Sequence, residues 1–264
     1  MPSPVELNKI FAYDSYHAVH YPDSGEQRYK RSLRLIRQHA PEVTSILDFG
    51  CGNGEFLRAA AARGYECAGI EYEAEAIARA EELSGAPVTT LEDALAAGRR
   101  FDLIRLSHVL VALPDPRSIL DSIAPLLRPR GTLVIETAVE NNPSIAYWSG
   151  ASIKWIERKL GLGVPARRPP TLLWRTDWAT MRTFFSKDLR LHETYAELFD
   201  DGWPLWAPGS SVRGPRQGVK GALGRLAAWI SDRRAYLSQH LGNQTVMLFK
   251  PRREREPTQE SNRK

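Results

Sequence analysis

The sequence predicts an α/β fold in which helices cover both faces of a mostly parallel sheet. Three observations lead to this prediction. Short apolar runs typical of buried strands alternate with helical patterns between about residues 45 and 140. A glycine-rich turn follows the first of these runs and leads directly into a helix. The chain has 264 residues, of which 42% are hydrophobic and 25% charged, enough to bury the core of one large domain.

The individual elements follow one another in a regular order. Five strands are expected at 45–49, 67–70, 87–90, 102–107 and 132–137, with helices at 55–63, 74–83 and 119–127. Two further strands, at 189–195 and 243–249, should complete a seven-stranded, Rossmann-like, doubly wound sheet whose last strand is antiparallel. Helical spacing also predicts N-terminal helices within 5–40, a helix at 152–160, a helix at 176–185 and a helical insertion at 219–241 before the last strand.

Composition narrows the class of protein. No apolar run reaches the ~18 to 20 residues that a membrane-spanning helix requires, and residues 1–6 lack the pattern of a signal peptide. A cytoplasmic location is therefore expected. The two cysteines, Cys51 and Cys67, have no metal-ligand spacing. We expect them to be reduced and expect no metal site.

Charge and tryptophan are unevenly distributed along the chain. Residues 1–150 contain 15 Lys and Arg against 20 Asp and Glu, whereas residues 151–234 contain 15 against 8, and the formal net charge is +5. All seven tryptophans lie in the second half. Two interpretations stay open: a basic, indole-rich surface that meets an anionic partner, or a solvated basic surface over a tryptophan-rich core.

The loop Asp48-Phe49-Gly50-Cys51-Gly52-Asn53-Gly54 is the most informative motif. Its glycines allow a tight turn and close approach of a ligand, and such a cradle suits either a pyrophosphate or the carboxylate of an amino-acid-like cofactor. The third glycine comes one residue earlier than in the dinucleotide fingerprint. Asp48 would repel a pyrophosphate, and Glu71, at the end of the second strand, is placed to hold ribose hydroxyls. The pattern favours S-adenosylmethionine, with a purely structural turn as the alternative.

A series of further segments extends the motif over about residues 44–140. With it, the chain resembles the class I S-adenosylmethionine-dependent methyltransferases, of the small-molecule type that includes ubiquinone-biosynthesis O-methyltransferases. The matching segments are Ile46–Gly54, Gly69-Ile70-Glu71, Phe101-Asp102-Leu103-Ile104, Ser107-His108-Val109-Leu110, Leu113-Pro114-Asp115-Pro116 and Leu126–Gly131.

The resemblance implies roles for particular residues. The methionine end of the cofactor would lie against the loop, chiefly Asp48, Gly50 and Gly52, with Cys51, Asn53 and Gly54 beside them. Glu71 would bind the ribose, Tyr72 would lie against the adenine, and Leu91 and Glu92 would form the adenine edge. Ser107 and His108 would approach the sulfonium, and the product would be S-adenosyl-L-homocysteine. These roles accord with the tendency of open α/β sheets to bind ligands beyond the carboxyl ends of their strands.

Two segments depart from the family pattern. Val111-Ala112 stands where relatives often have Glu-His, and Pro129-Arg130-Gly131 where they often have Pro-Gly-Gly. The first departure removes two polar groups near the site. His108 is the first candidate for a catalytic general base, although a packing or substrate-orienting role is equally open.

We expect the chain to divide into an N-terminal helical lid (1–40), an S-adenosylmethionine-binding core (41–140), an acceptor-binding elaboration that completes the sheet (141–250) and a disordered tail (251–264), whose charged sequence lacks a core-forming pattern. The leading hypothesis is O-methylation of a small anionic or amphipathic acceptor: a sugar, a phenol or quinone precursor, or a lipid headgroup. The alternatives are a nucleic-acid methyltransferase, whose Asp/Asn-Pro-Pro-aromatic and Pro-Cys motifs are missing, and a non-catalytic binding module.

The 219–241 helix would pack on the core or contact a membrane peripherally. The sequence does not predict the oligomeric state.

Overall fold

A computed structural model describes residues 29–139, residues 148, 152, 155, 156 and 159–161, and residues 173–174, 176–199, 242 and 244–251. Seven strands lie within these ranges. They are β1 (Ser45–Phe49), β2 (Glu66–Ile70), β3 (Val88–Thr89), β4 (Phe101–Ser107), β5 (Leu127–Ala138), β6 (Leu191–Phe199) and β7 (Gln244–Pro251). The same ranges contain the α-helices α1 (Lys30–His39), α2 (Glu55–Ala61), α3 (Ala74–Ser84), α4 (Leu91–Ala97), α5 (Pro116–Ile123) and α6 (Trp178–Thr183).

The strands form one sheet in the order β3-β2-β1-β4-β5-β7-β6. Strands β1 to β5 are parallel to one another, and β7 runs antiparallel to both of its neighbours, β5 and β6. The strand order reverses between β1 and β4. The predicted fold, a mostly parallel seven-stranded sheet with an antiparallel last strand, is confirmed.

Apolar side chains alternate between the two faces of the sheet and build a core on each. One face carries Ile46, Leu103 and Val134, which pack with buried residues of α1 and α2. The other face carries Leu47 and Ile104 and packs with residues of α5 and α6. All five residues of β1 are buried, as expected for a central strand covered on both sides.

A single carboxylate ties the amino ends of the central strands together. Asp102 Oδ2 accepts hydrogen bonds from the backbone N and the hydroxyl of Thr44, at 3.1 and 2.8 Å, and from those of Ser45, both at 2.9 Å. Its Oδ1 accepts from Arg128 Nη1 at 2.5 Å. Burial raises the pKa of Asp102, but the hydroxyl, amide and guanidinium donors outweigh it and hold the pKa well below 3.8. This fixes the start of β1 beside the start of β4.

The boundaries of two helices differ from the prediction. The helix expected at 119–127 runs instead over α5, because Asp115 caps it by accepting from Ser118 N at 3.1 Å and Pro116 suits its first turn. A 3₁₀ turn follows at Ala124–Leu126, and Leu127 already belongs to β5. Likewise Asp177, which accepts from Thr180 N at 2.7 Å, starts α6 two residues later than expected.

One helix was not predicted. Residues 91–97 form α4, capped by Thr90, whose hydroxyl accepts from Asp93 N at 3.2 Å and donates to Asp93 Oδ2 at 2.7 Å.

The last two strands begin and end later than expected. Each continues for as long as it pairs with the other, up to Phe199 opposite Gln244 and Pro251 opposite Leu191.

Several sequence predictions lie outside the described residues: most of the N-terminal lid, the 219–241 helix and nearly all of the tail. Both cysteines are free and buried. Within the described ranges no helix combines the length and apolarity needed to cross a bilayer, and no cluster of His, Cys, Asp or Glu is suited to a metal.

Candidate functional site

The candidate site lies at the carboxyl ends of β1, β2 and β4, beside the point where the strand order reverses. Such a switch point leaves a crevice beyond the sheet, where α/β proteins bind their ligands. The glycine loop follows β1, Glu71 follows β2, and Ser107 and His108 close β4. The fold therefore brings together three of the segments that the sequence singled out.

The loop that follows β1 is held by backbone hydrogen bonds to the end of β2. Gly50 N donates to Ile70 O at 2.8 Å, and Gly54 N donates to Cys51 O at 3.0 Å. Gly50 and Gly54 have φ values of +71° and +76°. A Cβ at Gly50 would lie 2.5 Å from Val109 Cγ2, and one at Gly54 would lie 2.7 Å from Ala80 O. Only glycine fits at these positions, so the loop is a preformed concavity.

Glu71 is fixed against this loop. Its Oε2 accepts from Gly52 N at 2.9 Å, and its Oε1 accepts from Tyr72 N at 2.8 Å. Its own backbone N donates to Thr89 O at 3.1 Å, which anchors it to the end of β3. A carboxylate oxygen accepts more than one hydrogen bond, so each keeps acceptor capacity for a ligand hydroxyl. Tyr72 projects beside it with 78% of its surface exposed.

The middle of the loop contains a buried acceptor with no partner. Asn53 Oδ1 is buried and accepts no hydrogen bond within the described part of the chain. Burial raises the pKa of the neighbouring Cys51 thiol far above its usual value, so this thiol stays protonated. Because an orphan acceptor is costly in the free protein, a cradle of this kind fits a ligand that carries N–H or O–H donors, as S-adenosylmethionine does.

The segment after β3 lies next to Glu71. Thr90 caps α4, which places Leu91 and Glu92 in the first turn of that helix, where backbone N–H groups have no intrahelical acceptor. Ile70 pairs with Thr89 in the sheet. Leu91 and Glu92, which follow β3, therefore lie at the same edge of the sheet as Tyr72, which follows β2. The arrangement is compatible with the adenine edge that the resemblance implies.

At the end of β4 the backbone adopts an unusual conformation. His108 has a φ of +58° and donates its backbone N–H to Glu136 O at 2.7 Å. A left-handed conformation costs a residue with a side chain about 1 kcal/mol or more. The side chain of His108 is partly buried. Ser107 Oγ donates to Glu136 Oε2 at 3.2 Å, so the last two residues of β4 are both tied to β5.

Asp48 has a partner that sequence reasoning missed. Arg105 Nη1, on the adjacent strand, donates to Asp48 Oδ1 at 2.9 Å, and Arg105 Nη2 donates to Glu136 Oε2 at 2.5 Å. The Arg105 guanidinium also lies 3.9 Å from the centre of the Phe56 ring. We refer to these three ionic residues as the Asp48–Arg105–Glu136 triad. The amide of Gly52, in the adjacent loop, donates to Glu71 and not to Asp48.

A signal for the triad was present in the sequence. Arg105 interrupts the apolar run of β4, and Glu136 interrupts that of β5. In a parallel sheet covered on both faces, such residues are buried and need partners of opposite charge. Which strand supplies the partner follows only from the strand order and register, which pair Asp48 with Arg105 and Ser107 with Glu136.

Comparison with known proteins agrees with this geometry. The chain is 34% identical over 106 residues to the ubiquinone biosynthesis O-methyltransferase of Aeromonas salmonicida, which covers 37% of this chain and 44% of the relative. The corresponding protein of Cereibacter sphaeroides is 33% identical over 125 residues, covering 45% and 50%. The chain thus spans about half the length of the curated relatives that it matches.

Solved structures share the fold at low sequence identity. A SAM-dependent methyltransferase from Archaeoglobus fulgidus superposes with a TM-score of 0.53 at 18% identity, over 86% of this chain and 94% of that one. The plantazolicin methyltransferase BpumL, in complex with a pentazolic desmethylPZN analog and SAH, gives 0.55 at 18% identity, over 95% and 92%. A family model described as a methyltransferase domain matches residues 23–186, more than half of the sequence. The chain therefore belongs to the methyltransferase-domain family and has the class I fold of S-adenosylmethionine-dependent methyltransferases.

Proposed function

We propose that this protein transfers the methyl group of S-adenosylmethionine to an oxygen of a small acceptor. The observation that carries the proposal is the preformed loop at the switch point, with Glu71 hydrogen-bonded to Gly52 and the acceptor of Asn53 left without a partner. The concave backbone of the loop would bind the amino-acid end of the cofactor, and the carboxylate oxygens of Glu71 would accept hydrogen bonds from its ribose.

The bound cofactor supplies an electrophilic methyl group. In the transfer the acceptor oxygen forms a bond to the methyl carbon, the carbon–sulfur bond breaks, sulfur keeps its electron pair and the acceptor loses a proton. This chain's part is to hold the two reactants in line and to exclude water. His108, at the carboxyl end of β4, is the residue that we assign to orienting the acceptor or taking its proton.

An aromatic residue, Trp174, lies against the segment that follows His108. Leu173 N and Trp174 N both donate to Val111 O, at 2.7 and 3.1 Å, and Trp174 Nε1 donates to Leu113 O at 2.6 Å. These hydrogen bonds attach residues 173–174 to the segment that follows β4. The indole of Trp174 is 41% exposed. An exposed indole beside the segment after His108 favours an acceptor with an apolar or aromatic face, such as a phenol.

The test is calorimetric titration followed by turnover. Wild-type protein is titrated with S-adenosylmethionine, and formation of S-adenosylhomocysteine is then measured with a panel of phenols, sugars and lipid headgroups. Replacing Glu71 by Ala should weaken cofactor binding about 10- to 100-fold, because hydrogen bonds to a charged group are lost. Glu82→Ala, on the exposed face of α3, is the matched control. No binding by the wild-type protein refutes the proposal, and binding without turnover of any acceptor class refutes its catalytic part.

A further inference from the structure

The Asp48–Arg105–Glu136 triad is buried directly beneath the candidate site. The side chains of Arg105, Asp48 and Glu136 are 4%, 2% and 10% exposed. The triad crosses three adjacent strands. Glu136 connects it to the crevice, because its carboxylate accepts from Ser107 Oγ and its backbone O accepts from His108 N. Its charges therefore act on the space that the cofactor would occupy.

The triad does not balance its own charge. Burial raises the pKa of Asp48 to about 6 in spite of the attraction of Arg105. Burial also acts to raise the pKa of Glu136, but the charge and hydrogen bond of Arg105, together with a hydrogen bond from Ser32, outweigh it and hold that pKa below its usual value. Burial would lower the pKa of Arg105, and the two carboxylates raise it. One guanidinium is thus shared by two carboxylates, so the ionised triad has two negative charges and one positive charge.

No further lysine or arginine among the described residues forms an ion pair with either carboxylate. Tyr29, which directly precedes α1, and Phe56 of α2 cover the guanidinium. Glu71 adds repulsion to Asp48, and His108 adds a favourable interaction with Glu136. An excess negative charge in a buried place is costly unless a cation comes close to it.

The two carboxylate oxygens of Glu136 differ in their hydrogen bonding. Glu136 Oε2 accepts from both Arg105 and Ser107. Glu136 Oε1 is buried and has no hydrogen bond of normal geometry within the described residues, although the hydroxyl of Ser32, on α1, interacts with this carboxylate and lowers its pKa. A carboxylate oxygen left in this state is stabilised by a ligand that brings positive charge or a donor. The burial of Glu136 and its unused acceptor both point to a cationic ligand in the crevice.

The two forms of the cofactor differ in charge. S-adenosylmethionine carries a sulfonium, an ammonium and a carboxylate, for a net charge of +1, whereas S-adenosylhomocysteine has lost the sulfonium charge and is neutral. Building on the proposed function, we propose that the excess negative charge of the triad makes the site prefer S-adenosylmethionine to S-adenosylhomocysteine, with Glu136 as the specificity-determining residue. Arg105 is a positioning residue, which holds both carboxylates and limits the excess to one charge. Methyl transfer removes the attraction and thereby promotes release of the product.

The test compares dissociation constants by calorimetry for wild type, Glu136→Gln and Glu42→Gln. The last variant is a matched control, because Glu42 is exposed, pairs with Lys250 Nζ at 2.6 Å and lies at the opposite end of the sheet. A charge within about 10 Å, at an effective dielectric constant of about 20, changes binding about tenfold. Glu136→Gln should therefore lower the preference for S-adenosylmethionine about tenfold, and Glu42→Gln should leave it unchanged. Sinefungin, which carries an amine in place of the methylsulfonium, should follow S-adenosylmethionine.

The outcomes separate the inference from the proposed function. If the wild-type protein binds neither form, the proposed function fails. If Glu136→Gln weakens both forms equally, its role is structural and the inference is overturned. Should Glu136→Gln fail to fold by circular dichroism, Asp48→Asn removes the same charge and should show the same loss of preference. Should both fail to fold, the wild-type protein decides: equal affinity for sinefungin and S-adenosylhomocysteine overturns the inference.

Discussion

Replacing Gly54 by Ala should destabilise the protein more than replacing Gly85, a glycine of similar φ with open space around it. Gly54 has a φ of +76°, and a Cβ there would lie 2.7 Å from Ala80 O and 3.0 Å from Ala80 Cα. Both atoms belong to the backbone of α3, where Ala80 is fully buried. The clash cannot be relieved by rotating a side chain, so α2 or α3 has to move.

The magnitude follows from two contributions. The left-handed conformation costs an alanine about 1 kcal/mol relative to glycine. Displacing a packed backbone adds about 1 to 3 kcal/mol. Gly85→Ala isolates the first contribution, because Gly85 has a φ of +67° and nothing within 4 Å of a Cβ. We therefore expect a loss of about 3 kcal/mol for Gly54→Ala and about 1 kcal/mol for Gly85→Ala.

The assay is urea unfolding followed by circular dichroism, with the free energy of unfolding extrapolated to water. Gly50→Ala should fall between the other two variants, since its Cβ would meet the side chain of Val109. Pairing it with Val109→Ala should recover part of the loss. The reasoning is refuted if Gly54→Ala costs no more than Gly85→Ala.

Three further predictions concern stability, thiol reactivity and strain. Asp102→Asn should lower the free energy of unfolding by about 1 to 3 kcal/mol at neutral pH. Because the folded-state pKa of Asp102 lies below its ordinary value of 3.8, this difference should persist above about pH 5 and shrink as the pH of urea titrations falls below about 4. Neither Cys51 nor Cys67 should react with a thiol reagent at pH 8 until urea unfolds the protein, because both are buried and burial raises their pKa values, that of Cys67 to about 12; fast reaction of native protein would contradict this. His108→Gly should be about 1 kcal/mol more stable than His108→Ala, since only glycine accepts a φ of +58° without strain, while methyl-transfer assays should show a loss of turnover in both variants.

The sheet could be predicted from the sequence because its central strands are nearly continuous apolar runs separated by glycines. The strand predicted at 45–49 matches β1 residue for residue. The helix α4 was also within reach, because Thr90 and Asp93 have the spacing of a helix N-cap. It was missed since residues 91–97 bury no side chain and so show no strong apolar stripe.

Only part of the candidate site, the glycine loop with Glu71, could be predicted from the sequence. The glycine loop and Glu71 depend on local geometry, a turn and a strand end, which residue types reveal directly. The ion triad depends on which strands become neighbours, since Asp48 and Arg105 meet only through the pairing of β1 with β4. Similarly, the contact of Trp174 with Leu113 O joins segments that no spacing rule relates.

The position of β7 has a consequence for the newborn polypeptide. This strand lies between β5 and β6, yet residues 139–243 separate it from β5. While the ribosome synthesises that stretch, β5 has no neighbour on one side, and its exposed amide and carbonyl groups are open to pairing with another chain. Met247 and Phe249 are fully buried once in place, so the cell must keep an apolar strand edge out of contact with other nascent proteins until residues 244–251 have been synthesised.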